Sequence, residues 1–368
     1  MSADNSSSIN TTSSAHFSLT SSDRALEEQV LRQVHLVVAK TLSQLRQKSH
    51  IHLNMDGMAI DGVDDDDDDD YDKGLPRTLI LGAKLGEGGF SSVHDVVGEP
   101  TLACKVLSTE TIRNRELFFI AAADIVREAY FLSHLSHPNI ITLRGVGSLD
   151  DMSQYYLLLD KIYAPLSSKI DEWDLATTDN HQIPERLQYA MAIVKAMVYL
   201  HSHHIVYRDL KVDNIGLNAK NQVLLYDFGL AKELKGPHDA NGKYKLSGNT
   251  GSWAYMAPEV AKGYKYNASV DVYSFGILLW ELLSGKYAFD GMSSNVVDKE
   301  VRPPFLRTWP ASLESLLTEC WHWNPSTRPA FVEIEERLNA IMEELGPNKA
   351  GNFFSWIMDG TARKTMSS

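Results

Sequence analysis

Four polar side chains stand at short spacings near the middle of the 368-residue chain: Asp209, Lys211, Asn214 and Asp227. A carboxylate such as Asp209 can orient a hydroxyl group and accept its proton. Lys211 can hold an anionic group in transit. Asn214 and Asp227 offer the hard oxygen ligands that a small divalent cation prefers. Positioning and charge neutralisation of this kind are what phosphoryl transfer needs, since its loose transition state asks for little covalent help from protein. Each side chain alone would be an ordinary surface acid or loop amide. The set carries meaning if the rest of the chain supplies matching parts.

The surrounding segments have the character needed to position them. The four lie within Tyr207–Gly229, YRDLKVDNIGLNAKNQVLLYDFG. The apolar run 223–226 predicts a short strand that delivers Asp227, followed by Phe228 and Gly229. Leu187, Ala190, Met191, Val194, Met197 and Leu200 share one face of a helix predicted over 185–203, a core stripe that leads into the loop. Further upstream, 78–93 reads TLILGAKLGEGGFSSV. It predicts a strand, a turn with Gly86, Gly88 and Gly89, and a second strand starting at 91–93 and including Val93. Such glycines let backbone N–H groups close on phosphates. In LACKVL at 102–107, strand alternation puts Ala103 and Lys105 on one face and Cys104 on the other. A helix is predicted over 117–135, with Pro138 forbidding continuation; it contains Glu128. The run 155–162 predicts a buried strand ending in a polar turn. The segment 230–250 has no periodicity and reads as a loop. An apolar helix over 271–285 ends at Gly285, a natural stop.

In this order, the motifs resemble those of the eukaryotic-type protein kinases, in the tyrosine-kinase-like (Raf-like, mixed-lineage-like) group. The likeness spans about 78–345. It implies an α+β bilobal fold, with a small β-rich N-lobe (about 78–160) bearing one regulatory helix and a larger, mostly α-helical C-lobe (about 163–345). It implies ATP and Mg²⁺ as cofactors. Gly86, Gly88, Gly89 and Val93 would cover the nucleotide, Ala103 would pack the adenine, and Lys105 would reach the phosphates. Glu128 would pair with Lys105; the segment between them is slightly long for the family, which leaves Glu116 and Glu110 as alternatives. Leu159 would be the gatekeeper, and the backbones of Asp160 and Ile162 would meet the adenine edge. Asp209 and Lys211 would be catalytic, with Asn214 and Asp227 holding metal. Arg208 implies a phosphate acceptor in the following loop, with Ser247 or Thr250 as the site. Glu259 would pair with Arg328, and Asp271 would either brace the catalytic loop or simply favour a helix start through the dipole.

Four positions depart from the family pattern. Ser91 replaces a glycine, Tyr207 a histidine, Ser252 a threonine, and Gly216 the Leu-type side chain under the adenine, with Leu217 as its possible replacement. Lys211 implies Ser/Thr rather than Tyr substrates, and CWHWNP at 320–325 with RPAF resembles the tyrosine-kinase-like group. The expected activity is a protein serine/threonine kinase in signalling. The alternative is a pseudokinase scaffold acting through its N-terminal helix and C-terminal patch.

Composition bounds the remainder. The net charge of −13 argues against nucleic acid as a partner, and seven aspartates at 64–70 supply much of it. That acidic run lacks the register of a calcium loop. Two distant cysteines suit a reduced, intracellular protein, expected in the cytoplasm with the nucleus left open. No secretory signal is evident, and no apolar run nears the roughly 20 residues of a membrane span. The expected organisation is a Ser/Thr-rich disordered tail over 1–22, an amphipathic helix over 23–48, an acidic linker over 49–77, the catalytic domain over 78–345 and a tail over 346–368. The helix could pack on the domain or serve a partner or self-association. The apolar patch at 353–358 could pack on the large lobe or dock a partner.

Overall fold

The computed structural model describes residues 79–147, 154–173, 183–290, 292 and 301–345. The tail 1–22, the predicted helix 23–48, the acidic linker 49–77 and the tail 346–368 with its 353–358 patch lie outside the described residues.

Five antiparallel strands form the small lobe: β1 (Leu81–Glu87), β2 (Ser91–Val96), β3 (Glu99–Leu107), β4 (Leu143–Gly147) and β5 (Tyr156–Asp160), in the order β1-β2-β3-β5-β4. Register places Val93 opposite Lys105, Lys105 opposite Leu157 and Ala103 opposite Leu159, so these side chains share one face. Cys104 and Leu158 point the other way and form a separate small apolar cluster with Val96. The sequence alternation at 102–107 therefore holds.

The connection from β3 to the small-lobe helix is built from two caps. Ser108 caps α1 (Thr109–Arg113), its hydroxyl accepting from Thr111 N at 3.2 Å. Asn114 ends α1 and caps α2 (Arg115–Leu132), its side-chain oxygen accepting from Glu116 N at 3.1 Å and Leu117 N at 3.2 Å. The helix thus starts and stops earlier than the predicted 117–135. The additional short α1 accounts for the long segment between Lys105 and Glu128.

The large lobe contains α3 (Leu166–Glu172), α4 (Ile183–Ser202), α5 (Pro258–Ala261), α6 (Ser269–Ser284), α7 (Ala311–Cys320) and α8 (Phe331–Leu345). The α4 stripe is core: Leu187, Ala190, Val194, Met197 and Leu200 are wholly buried. Helix α6 is buried from Val270 through Ser284, which explains its lack of a polar face, and Gly285 ends it in the left-handed region at φ 65°. Short strands carry the chain past the cleft: β6 (Ala164–Pro165), β7 (Ile205–Val206), β8 (Ile215–Leu217), β9 (Val223–Leu225) and β10 (Lys232–Glu233). They pair as β6-β8-β9 and β10-β7. A buried bidentate pair joins distant parts of this lobe, Arg328 Nη1 and Nη2 donating to Glu259 at 2.6 and 2.9 Å. Among the described residues, no helix is long and apolar enough to cross a membrane.

Candidate active site

The loop at 207–214 is held from beneath by Asp271, on the first turn of α6. This carboxylate is wholly buried and accepts from Tyr207 N at 2.9 Å and Arg208 N at 2.8 Å. His201 Nε2 lies 2.9 Å from the same carboxylate. Arg208 adopts the left-handed region at φ 71°, a conformation that non-glycine residues keep only when their surroundings dictate it. Tyr207 is also wholly buried. Its hydroxyl donates to the Tyr226 carbonyl and its ring meets Phe228 edge-on at 5.2 Å. Burial pushes the Tyr207 phenol far above its usual pKa, so it remains a hydrogen-bond donor. The tyrosine thus ties the loop to the Asp227 segment.

Asp209 is gripped on both oxygens. Oδ1 accepts from Ser252 N at 3.0 Å and Ser252 Oγ at 3.1 Å, and Oδ2 accepts from Asn214 Nδ2 at 2.8 Å. Lys211 Nζ lies 2.9 Å from Asp209 Oδ2 and donates to Ser252 Oγ at 2.9 Å. Asn214 Nδ2 also donates to the Asp209 carbonyl at 2.9 Å. The amide nitrogen therefore faces Asp209, and the side-chain oxygen is the end turned away from it.

Across the cleft, Lys105 Nζ donates to Glu128 Oε2 at 2.6 Å and lies 3.7 Å from Asp227 Oδ1. Burial works against the Lys105 ammonium, yet the carboxylates of Glu128 and Asp227 outweigh it and hold the amine's pKa above the ordinary lysine value. Glu110 and Glu116, the alternatives to Glu128, sit exposed in the first turns of α1 and α2. Gly86 and Gly89 have negative φ and open space where a Cβ would stand. Neither packing nor backbone conformation demands glycine at these two positions. At the end of β5, the Asp160 carboxylate accepts from Arg144 Nε at 2.6 Å.

A model of the family described as "Protein kinase domain" matches residues 79–338. The chain belongs to the protein kinase family. A probable serine/threonine-protein kinase of Dictyostelium discoideum is 33% identical over 72% of this chain and 28% of its own length. Mitogen-activated protein kinase kinase kinase 7 of Drosophila melanogaster is 30% identical over 74% of this chain and 39% of its own length. The serine/threonine/tyrosine-protein kinase HT1 of Arabidopsis thaliana is 31% identical over 70% of this chain and 64% of its own length. The kinase described here thus spans less than two thirds of the length of each of these relatives.

The structure brings together Lys105, Glu128, Asp209, Lys211, Asn214 and Asp227, and sets Val93, Ala103 and the glycine turn on the same side of the sheet's cleft. One expectation is corrected. Leu217 does not occupy the space over Gly216: it is wholly buried in the core, and neighbouring strand residues face opposite ways. The side chain over Gly216 is that of Ile162. Two contributors escaped the sequence reading. Arg127 Nη1 donates to the Gly229 carbonyl at 2.6 Å and to Asp124 Oδ1 at 2.7 Å, binding α2 to the Asp227 segment. Lys232, five residues past Asp227 and exposed at the start of β10, has its pKa lowered by partial desolvation of its amine and by the cations Arg127 and Arg208. Position relative to Glu128 and Asp227 is the only signal for either.

Proposed function

We propose that this protein is an ATP- and Mg²⁺-dependent serine/threonine kinase acting on protein substrates in signalling. The observation that carries it is the Lys105–Glu128 pair at 2.6 Å, closed while Asp227 stands 3.7 Å from the same ammonium. The nucleotide-holding and metal-holding halves are then set for one reaction. The backbone of the Gly86–Gly89 turn covers the phosphates, Lys105 draws them down, and Val93 and Ala103 roof the base.

The donor set fits Mg²⁺. Asn214 turns its amide oxygen away from Asp209, and the Asp227 side chain is 45% exposed, so these two residues would supply the hard oxygen donors that hold the ion. When bound, the ion neutralises phosphate charge. Asp209 orients the incoming hydroxyl and accepts its proton, and the neighbouring Lys211 holds the transferring group. Ser252, bonded to both Asp209 and Lys211, fixes their separation. Lys211 supports Ser/Thr substrates, and the names of the relatives are in keeping with this, HT1 being called a serine/threonine/tyrosine-protein kinase. No observation favours a pseudokinase, since each catalytic position holds a side chain of the required type.

Transfer of radiolabelled phosphate from ATP with Mg²⁺ to a generic protein substrate tests the proposal. Asp209→Asn and Lys105→Met serve as controls. The wild-type signal should exceed both; equality with either overturns the enzyme reading. Phosphoamino-acid analysis of the product should show Ser and Thr. Fractionation should place the protein in the cytoplasm, and truncation of 1–75 should alter activity or oligomeric size if the 23–48 segment serves regulation or self-association.

A further inference from the structure

Gly216 is buried in β8, between Pro165 of β6 and Leu224 of β9. Its φ is not positive, so its backbone does not call for glycine. What calls for it is Ile162. A Cβ on residue 216 would stand 2.4 Å from Ile162 Cγ2, 2.9 Å from Cδ1 and 3.2 Å from Cγ1. Three carbons of one side chain thus occupy the place from which a side chain at 216 would grow. Isoleucine branches at Cβ, so only a change of χ1 would clear Cγ2. The neighbouring backbone is pinned, with Tyr163 N donating to the Leu217 carbonyl at 2.8 Å, and it cannot readily move aside. Ile162 is partly buried and packs on the main core.

We infer that Ile162 and Gly216 work as one unit, in which the hinge isoleucine lies over the bare strand residue and supplies the apolar floor for the adenine ring. This rests on the nucleotide reading of the cleft proposed above. In this arrangement the hinge contributes both the edge and the underside of the base site, so one short segment, 160–163, governs how the base is gripped. A larger residue at 216 requires Ile162 to leave this rotamer, and specificity for the flat base then resides at 162.

Affinity for ADP without metal, measured by isothermal titration calorimetry, isolates this contact from catalysis. Ile162→Ala should weaken ADP roughly tenfold, the scale expected for losing a few buried carbons against one ring face. Adding Gly216→Leu in that background should restore affinity to within about threefold of wild type, because the floor is then supplied from below. Gly216→Ala alone should also weaken ADP, by forcing Ile162 from its rotamer. The milder Ile162→Val, with thermal unfolding of every variant recorded without nucleotide, covers the case in which the alanine variant fails to fold. An Ile162→Ala variant that binds ADP within about twofold of wild type overturns the inference, as does a double variant no tighter than the single one. A wild-type protein that binds no ADP overturns the nucleotide reading itself.

Discussion

Arg208 Nη1 donates to the Ser247 hydroxyl at 2.8 Å, while its Nε holds the Leu230 carbonyl at 2.7 Å. Thr250 stands one step further out, its hydroxyl donating to Ser247 Oγ at 2.9 Å. Of the two acceptors considered from sequence, Ser247 is the one that touches the arginine. It is also exposed, whereas Thr250 is half-buried.

Phosphate on Ser247 would add charge-assisted bonds to Arg208, which already reaches its hydroxyl. Mass spectrometry of active protein should find phosphate on Ser247, and Ser247→Ala should lower activity more than Thr250→Ala. Undiminished activity in the double alanine variant would refute the regulatory role.

Asp209→Asn keeps the size of the side chain and removes the proton acceptor. Its kcat should fall by roughly two to four orders of magnitude, the range of a lost general base. Lys105→Met leaves Glu128 buried and unpaired at 2% exposure, so it should lower both activity and thermal stability. A stability loss for Lys105→Met but not for Asp209→Asn, read by thermal unfolding, would separate the two roles.

Arg328 and Glu259 are each 7% exposed, and Arg328 also donates to the His322 carbonyl at 2.9 Å. Removing one partner strands a buried charge. Arg328→Ala should cost about 3–5 kcal/mol in denaturant unfolding. Pairing it with Glu259→Gln should recover part of that loss, whereas strict additivity would show that the two charges do not act as a pair.

Glu281 gives a pH dependence. Burial pushes its carboxyl up to about 7, against the opposing hydrogen bonds from Tyr255 Oη at 2.6 Å and Ala288 N at 2.9 Å. The folded state therefore holds a proton that the unfolded chain releases at lower pH. The stability this adds is present in full below the ordinary glutamate pKa and is lost as pH rises to about 7. Glu281→Gln should flatten the decline in melting temperature between the ordinary glutamate pKa and neutrality, relative to wild type. Parallel curves for the two proteins would contradict the assignment.

Much of the site was legible in sequence because its chemistry depends on spacings within short segments. Asp209, Lys211 and Asn214 share one loop, and Lys105 sits on a strand whose alternation fixes its face. The family likeness also picked Glu128 over Glu110 and Glu116, a choice the 2.6 Å contact supports. Other features depend on contacts between segments remote in the chain. Arg127 reaches a carbonyl 102 residues away, and Ile162 lies over Gly216 from a different strand connection. No local pattern encodes such meetings. The α1 helix was missed because five residues are too few to show a helical period.

Between Lys105 and Glu128, only Ser108 and Asn114 lie outside regular structure, and each caps a helix start. Swinging α2 outward would break a cap at once, since no slack loop exists to absorb the movement. Any displacement of α2 relative to β3 has accordingly to pass through the caps at Ser108 or Asn114, so strand and helix are joined by a stiff splice.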